Sequence, residues 1–463
     1  MKTLIKNGTI VTSESSFQGD VLIEDGRITA IGPGLTATDA EIYDAAGCRL
    51  FPGFIDAHTH LDMDAGATVT ADNFETGTRA ALAGGTTTII DFATQDKGGT
   101  LKAALEAWQE KAQGVSACDY GFHMAITEWT PAVAKEIPDM AAAGVTSFKV
   151  YLAYDNLRVS DGEVFDILRK VKEIQGIVGA HCENGDIVNR LTASLLRQGK
   201  KAPCHHPFSR PDLAEAEAVS RFTYIGQLSE APVNIVHLSS EAGLQEALRA
   251  RQRGGEIYIE SCPQYFILDD SSYCLPDFEG AKYVCSPPLR SRSSQAALWQ
   301  AMAASNIDTI STDHCSFNWK GQKELGHDDF SKIPNGLPGI EHRPVLMYSF
   351  GVAAGRISEN QFVASLAENT ARLFGLYPQK GKIAEGSDGD IVVWDPNAEV
   401  TIAAATQLQN VDYTPYEGLK VQGRPKAVFL RGQLATENGK VLITNAGQYL
   451  PRHSCNYFRR KTE

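Results

Sequence analysis

The feature that most constrains this chain is a repeated exchange of strand-like and helix-like texture through its middle. Strand-like apolar runs occupy 51–58, 86–93, 118–127, 147–154, 177–183, 234–240, 257–263 and 308–313. Helix-like segments rich in Ala, Leu, Glu and Arg follow most of them, for example 99–113, 131–143, 212–229, 241–253 and 294–304. Eight βα units in series predict an α/β chain closed into a (β/α)8 TIM barrel. A doubly wound open sheet is the alternative reading of the same pattern. The 463 residues suffice for one such barrel and an appendage.

The ends have a different texture. Short apolar runs, Thr3-Leu4-Ile5, Thr9-Ile10-Val11, Val21-Leu22-Ile23 and Ile28 to Ile31, are separated by Asn7-Gly8, Asp25-Gly26 and Pro33-Gly34. These predict a small antiparallel sheet. Runs at 390–394, 427–430 and 441–443, with turns at Asp388-Gly389, Arg431-Gly432 and Asn438-Gly439, repeat that texture. The expected division is therefore a β-sandwich built from 1–51 plus 379–445, a barrel over 52–378, and a tail over 446–463. The basic end of that tail is a candidate for contact with a neighbouring subunit.

Composition narrows the function classes. With 43 basic and 56 acidic residues the net charge is −13, which disfavours nucleic acid and anionic membrane as partners. No charge-free stretch reaches the roughly 20 apolar residues that a bilayer span needs. The opening Met1–Lys6 lacks the apolar core of a secretory signal. Nine cysteines scattered from Cys48 to Cys455, with no CxxC pair, fit reduced thiols better than a disulfide framework. A cytoplasmic location is the expectation.

In a (β/α)8 barrel, chemistry sits at the C-terminal ends of the strands. Strand one ends in His58-Thr59-His60, strand five at His181, strand six at His237 and strand eight at Asp313-His314. Residues two apart on a strand share a face, so His58 and His60 can approach one ion. Four strand-end histidines and a carboxylate form a donor set suited to zinc and its neighbours. Lys149, inside Phe148-Lys149-Val150, is either salt-bridged or a buried amine of lowered pKa. A neutral amine there could take up carbon dioxide as a carbamate able to bridge two metals.

Other residues read more plainly. His123 is expected to be a satisfied core histidine, and His205 and His206 to be solvated in a proline-containing loop. His314 is either an orienting partner of the site or packing. Glu183 is expected to hydrogen-bond beside a ligand. Cys182 and Cys315 read as inert buried thiols.

At this point the motifs resemble a family. Pro52-Gly53-Phe54-Ile55-Asp56-Ala57-His58-Thr59-His60 is similar to the first-strand motif of the amidohydrolase superfamily. Ser147 to Tyr154, His181 to Asp186, Cys262 to Tyr265, Ser286 to Arg290, Thr312 to Cys315 and Pro334 to Gly339 resemble its dihydropyrimidinase and D-hydantoinase group. The resemblance runs in order along essentially the whole chain. It implies a binuclear centre in which His58, His60 and Asp313 hold the more buried ion and His181 and His237 the more exposed one. Carboxylated Lys149 and a hydroxide would bridge them. The ions would be zinc, with cobalt, manganese or iron fitting the same ligands. Tyr154 would bind the substrate carbonyl and its oxyanion, Ser286 and Asn335 would grip the cyclic amide, and Asp313 would carry the proton to the leaving nitrogen. The implied reaction opens dihydropyrimidines or hydantoins to N-carbamoyl amino acids, and the implied assembly is a homotetramer.

Three other readings fit the sequence less well. A dihydroorotase-like or allantoinase-like hydrolase would act on another cyclic amide, but Leu61-Asp62-Met63 lacks the arginine that dihydroorotases use to grip a carboxylate. A mononuclear deaminase would not need Lys149. A non-catalytic scaffold would have lost ligands, and all six positions are filled here. One departure bears on the substrate: Met63-Asp64-Ala65-Gly66-Ala67-Thr68 is more polar and smaller than the apolar segment common in relatives, and Asp155 to Val159 is charged. A small or polar ring substituent is the expectation.

Overall fold

The computed structural model describes residues 2–458. The eight expected barrel strands are all present: Phe54–Thr59, Thr86–Thr94, Asp119–Ala125, Ser147–Tyr151, Ile177–His181, Val233–Ile235, Ile257–Ser261 and Thr309–Ile310. Neighbours pair in parallel and in chain order, so the open-sheet alternative falls. Nearly every strand residue is buried on both faces, as a barrel with a packed interior and an outer helical ring requires.

The helices start where the chain supplies a cap. Asn73, Thr100, Thr130, Ser160, Asn184, Ser240 and Ser291 each accept a hydrogen bond from a backbone N–H of the first helical turn. Each cap satisfies a donor that the helix itself leaves unpaired.

Closure between the first and last strands relies on side chains. Thr59 meets His314 through a single bridge, and His60 N–H donates to the His314 carbonyl at 2.8 Å. Below it, Thr312 donates to Asp56 from both its N–H and its hydroxyl, at 3.0 and 2.7 Å. The buried Arg343 guanidinium donates to the carbonyls of Ile55 and Ile310, both at 2.7 Å. Strands six and eight are shorter than expected. His237 and Asp313 therefore stand beyond their strands' ends, His237 on a turn.

The two ends of the chain share one nine-stranded sheet. Phe51 and Leu50, just before the barrel, pair with Val392 and Val393 of the strand Ile391–Thr401. Two expectations are corrected here. Asn7-Gly8 does not turn the chain: Lys2–Val11 is one strand with a bulge, and Asn7 takes the left-handed conformation within it (φ 63°). The sheet is also not wholly antiparallel, since Lys2–Val11 pairs in parallel with Glu41–Asp44 and Arg49–Pro52. Phe51, Phe54, Tyr348, Phe362 and Trp394 interlock between sheet and barrel, largely edge-on.

Of the tail, 446–458 packs under the N-terminal end of this chain's own barrel, and 459–463 lie outside the described residues. Leu450 N–H donates to the Tyr120 carbonyl at 2.7 Å. Buried Arg452 donates to Ser147 Oγ at 2.7 Å and to the Phe122 carbonyl. Removing a buried guanidinium strands the oxygens that its two terminal nitrogens bond. Arg452→Ala is expected to destabilise the fold by about 2–4 kcal/mol, seen as a lower denaturation midpoint; an unchanged midpoint would show that the tail contributes nothing to the barrel floor.

Candidate metal centre and active site

At the C-terminal end of the barrel the expected residues converge. His58 Nε2 and His60 Nε2 lie 3.1 and 3.2 Å from the same Asp313 oxygen, Oδ1. These three side chains form a cluster able to hold a metal ion. Lys149 Nζ is 2.9 Å from His58 Nε2 and 4.3 Å from the centre of the Phe92 ring. On the other side, His181 Nδ1 faces His237 Nε2 at 3.0 Å. The rings of His58 and His237 are 5.4 Å apart and link the two groups.

The donor set fits a pair of divalent cations. Ring nitrogens that face one another, a partly exposed carboxylate and a buried amine place several lone pairs on a common space. Metal ligands must be deprotonated, and the surroundings favour that at most of these groups. His58 is the exception: burial and the Lys149 charge are outweighed by Glu260 and Asp313, and the pKa of the ring is raised. Burial pulls His60 down to about 4 and draws His181 and His237 below the usual histidine range. Burial likewise lowers the Lys149 amine, against the nearby Asp313 and Glu260 charges. Asp313 is held well below the usual carboxylate range: burial opposes its charge, but His58 and His60 outweigh burial.

Three of the expected residues stand in the left-handed backbone region: His237 (φ 40°), Asp313 (φ 53°) and Tyr154 (φ 66°). Such conformations are uncommon outside glycine and cost free energy. They re-aim side chains at a strand exit. Tyr154 is half-buried, its ring 5.0 Å from that of His181. Burial pushes its hydroxyl up to about 12, against the pull of the Arg210 charge. Asn335 Oδ1 is buried without a hydrogen-bond partner, and buried Ser286 lies against the Tyr154 hydroxyl.

Several residues that sequence reasoning missed support these. Glu260 accepts from His58 Nδ1 at 2.6 Å and from the His237 N–H at 3.2 Å, tying two candidate ligands to one carboxylate. A lone glutamate inside Ile257-Tyr258-Ile259-Glu260 is the same signal that marked Lys149. Asp91 accepts from the Thr59 hydroxyl and the Leu61 N–H at 2.7 and 2.9 Å, fixing the strand on both sides of His60. Glu183 accepts from His181 Nε2 at 2.7 Å and pairs with Arg210, as a hydrogen-bonding neighbour of a ligand should. Arg210 has no comparable sequence signal.

The plainer readings divide. His123 is a satisfied core histidine, its Nε2 2.8 Å from the Ala57 carbonyl. His314 is an orienting strut, bonded to Asp72 at 3.1 Å through Nε2 and accepting from the Gly339 N–H at 3.1 Å through Nδ1. His206 is not solvated: it is buried, with Nε2 2.8 Å from the Cys285 carbonyl, and burial pulls it down to about 3. The Asp64–Ala67 turn is exposed.

Comparison with known proteins agrees with this geometry. Residues 49–435 match the amidohydrolase family. The chain belongs to that family. It is 46% identical over 455 residues to a D-hydantoinase of Geobacillus stearothermophilus, covering 98% of this chain and 97% of that one. It is 41% identical to a D-phenylhydantoinase of Escherichia coli O9:H4 (strain HS), over 94% of each. The crystal structure of a dihydropyrimidinase from Brevibacillus agri NCHU1002 superposes with a TM-score of 0.97 at 46% identity, over 98% of this chain and 99% of that one. Among the described residues no helix is long and apolar enough to cross a membrane.

Because Glu260 orients His58 from behind, its loss acts through the ligand. Glu260→Gln is expected to weaken metal binding by about 10- to 100-fold with the fold intact, measured by equilibrium dialysis. Wild-type affinity would remove Glu260 from the centre.

Proposed function

We propose that this chain is a metal-dependent hydrolase that opens the cyclic amide ring of hydantoins or dihydropyrimidines to N-carbamoyl amino acids. The observation that carries the reading is the convergence of His58, His60, Lys149, His181, His237 and Asp313 on one buried space, in a chain of this family. His58, His60 and Asp313 would hold one ion and His181 and His237 the other, with a carbamate on Lys149 touching both. Zinc suits these ligands, and cobalt, manganese or iron fit them too. When bound, such ions supply a hydroxide nucleophile near neutral pH and polarise the scissile carbonyl.

The chain's own residues do the rest. Tyr154 keeps its proton at neutral pH and donates to the carbonyl oxygen as negative charge gathers there. Asp313, ionised at neutral pH, is placed to take the remaining proton of the attacking hydroxide and deliver it to the leaving ring nitrogen. Ser286, beside Tyr154, and Asn335, whose Oδ1 has no partner, offer polar atoms and their backbone to the ring amide. The bond broken is the amide C–N of the ring, and the product carries a new carboxylate and a free ureido end. A homotetramer is part of this reading by resemblance, and the nine free cysteines fit a cytoplasmic location.

The exposed, polar turn at 64–67 and the ion-paired Asp155–Arg158–Asp186 group favour small or polar ring substituents. Ring opening by zinc- and bicarbonate-loaded protein, followed by ultraviolet absorbance on dihydrouracil and on an aryl hydantoin, tests both parts. Turnover of dihydrouracil with little aryl activity is expected. Preference for the aryl ring would keep the chemistry and overturn the substituent reading. No turnover of either, with both ions bound, would overturn the reaction.

A further inference from the structure

Lys323 opens a short turn, Lys323–Gly326, and its side chain is fully buried. Its Nζ donates to three carbonyls: Val284 at 2.8 Å, Pro334 at 2.7 Å and Gly336 at 2.8 Å. An ammonium has three N–H donors and no acceptor, so every donor is used. Among the described residues no carboxylate forms an ion pair with it. Burial pulls the amine down to about 7, which shows how hard this position is for a cation. A methionine would fill such a space without that cost.

The three acceptors are informative. Val284 lies two residues before Ser286, and Pro334 and Gly336 flank Asn335. The Val284 carbonyl also accepts from the Gly336 N–H at 3.0 Å, so the two segments already touch. Cys315 N–H donates to the Leu337 carbonyl at 3.1 Å, and Cys315 Sγ reaches the Asn335 carbonyl at 3.7 Å. Gly336 sits at φ 154°, and a side chain there would put its Cβ 2.3 Å from the Cys315 carbonyl oxygen. Three chain segments are thus clasped together: one bearing Ser286, one bearing Asn335, and the one that follows Asp313.

We propose that Lys323 is a positioning residue for the substrate: its three-way clasp sets the spacing between Ser286 and Asn335, and through it the register of the ring amide before Asp313. This rests on the reading that Ser286 and Asn335 grip the ring. The lysine touches no reacting atom. Loosening the clasp widens the grip, so it weakens binding of the ring more than it slows the chemistry of rings that are bound.

The test compares Lys323→Met and Lys323→Gln with the wild-type protein, all loaded with zinc and bicarbonate, by metal content and by steady-state kinetics on the ring the wild type opens. Both variants are expected to keep wild-type metal content. Lys323→Met should raise KM about tenfold or more with kcat within about threefold. Lys323→Gln, which keeps two N–H donors, should fall between. An unchanged KM in both variants, or a fall in kcat with KM unmoved, overturns the clasp while leaving the hydrolase reading intact. Failure of both variants to fold assigns Lys323 to the fold alone and also overturns it. A wild-type protein that opens no ring overturns the hydrolase reading, and this proposal with it.

Discussion

The site depends on one buried amine. Lys149 enters the barrel between Phe148 and Val150, with almost none of its surface exposed, and its nitrogen meets the His58 ring and the Phe92 face. Burying a lone ammonium costs several kcal/mol, and two nearby dications would add repulsion. Burial lowers its pKa, and a neutral amine is the form that reacts with carbon dioxide. The carbamate proposed for Lys149 would reverse the sign of the charge at this position beside His58. The surrounding carboxylates then have a consistent role: Asp313 faces the centre, and Glu260 holds His58 and the His237 backbone from behind.

Strain and closure serve the same end. His237 and Asp313 take left-handed backbone conformations just past their strands, which only a firm surround sustains. That surround is visible at the seam between strands one and eight, where Asp56, Thr312 and Arg343 replace a long ladder of backbone bonds. A two-residue last strand leaves the chain free to turn sharply and aim Asp313 at the histidines. The tail bracing the barrel floor from below adds rigidity without entering the chemistry.

Much of this was legible in the sequence, for a physical reason. Parallel strands buried on both faces read as apolar runs, and a polar residue that ends such a run, as His58 and His181 do, or interrupts it, as Lys149 does, stands out. Period-two spacing was enough to put His58 and His60 on one face. The Ser286 and Asn335 positions came from resemblance alone, since loops carry no periodicity. Lys323 and Arg210 were illegible for the same cause. Glu260 carried the same signal as Lys149 and went unread. Asn7-Gly8 misled because a bulge and a hairpin turn ask for the same positive φ, and His206 because proline near a loop says nothing about what packs over it.

The most direct measurement concerns Lys149 itself. The protein is freed of metal and bicarbonate, then given ¹³C-labelled bicarbonate with and without zinc, and followed by ¹³C NMR beside a Lys149→Ala control. One carbamate resonance is expected in the wild type, strengthened by zinc and absent from the control. A wild-type protein that binds two zinc ions without that resonance would contradict a bridging lysine and require a different shared ligand.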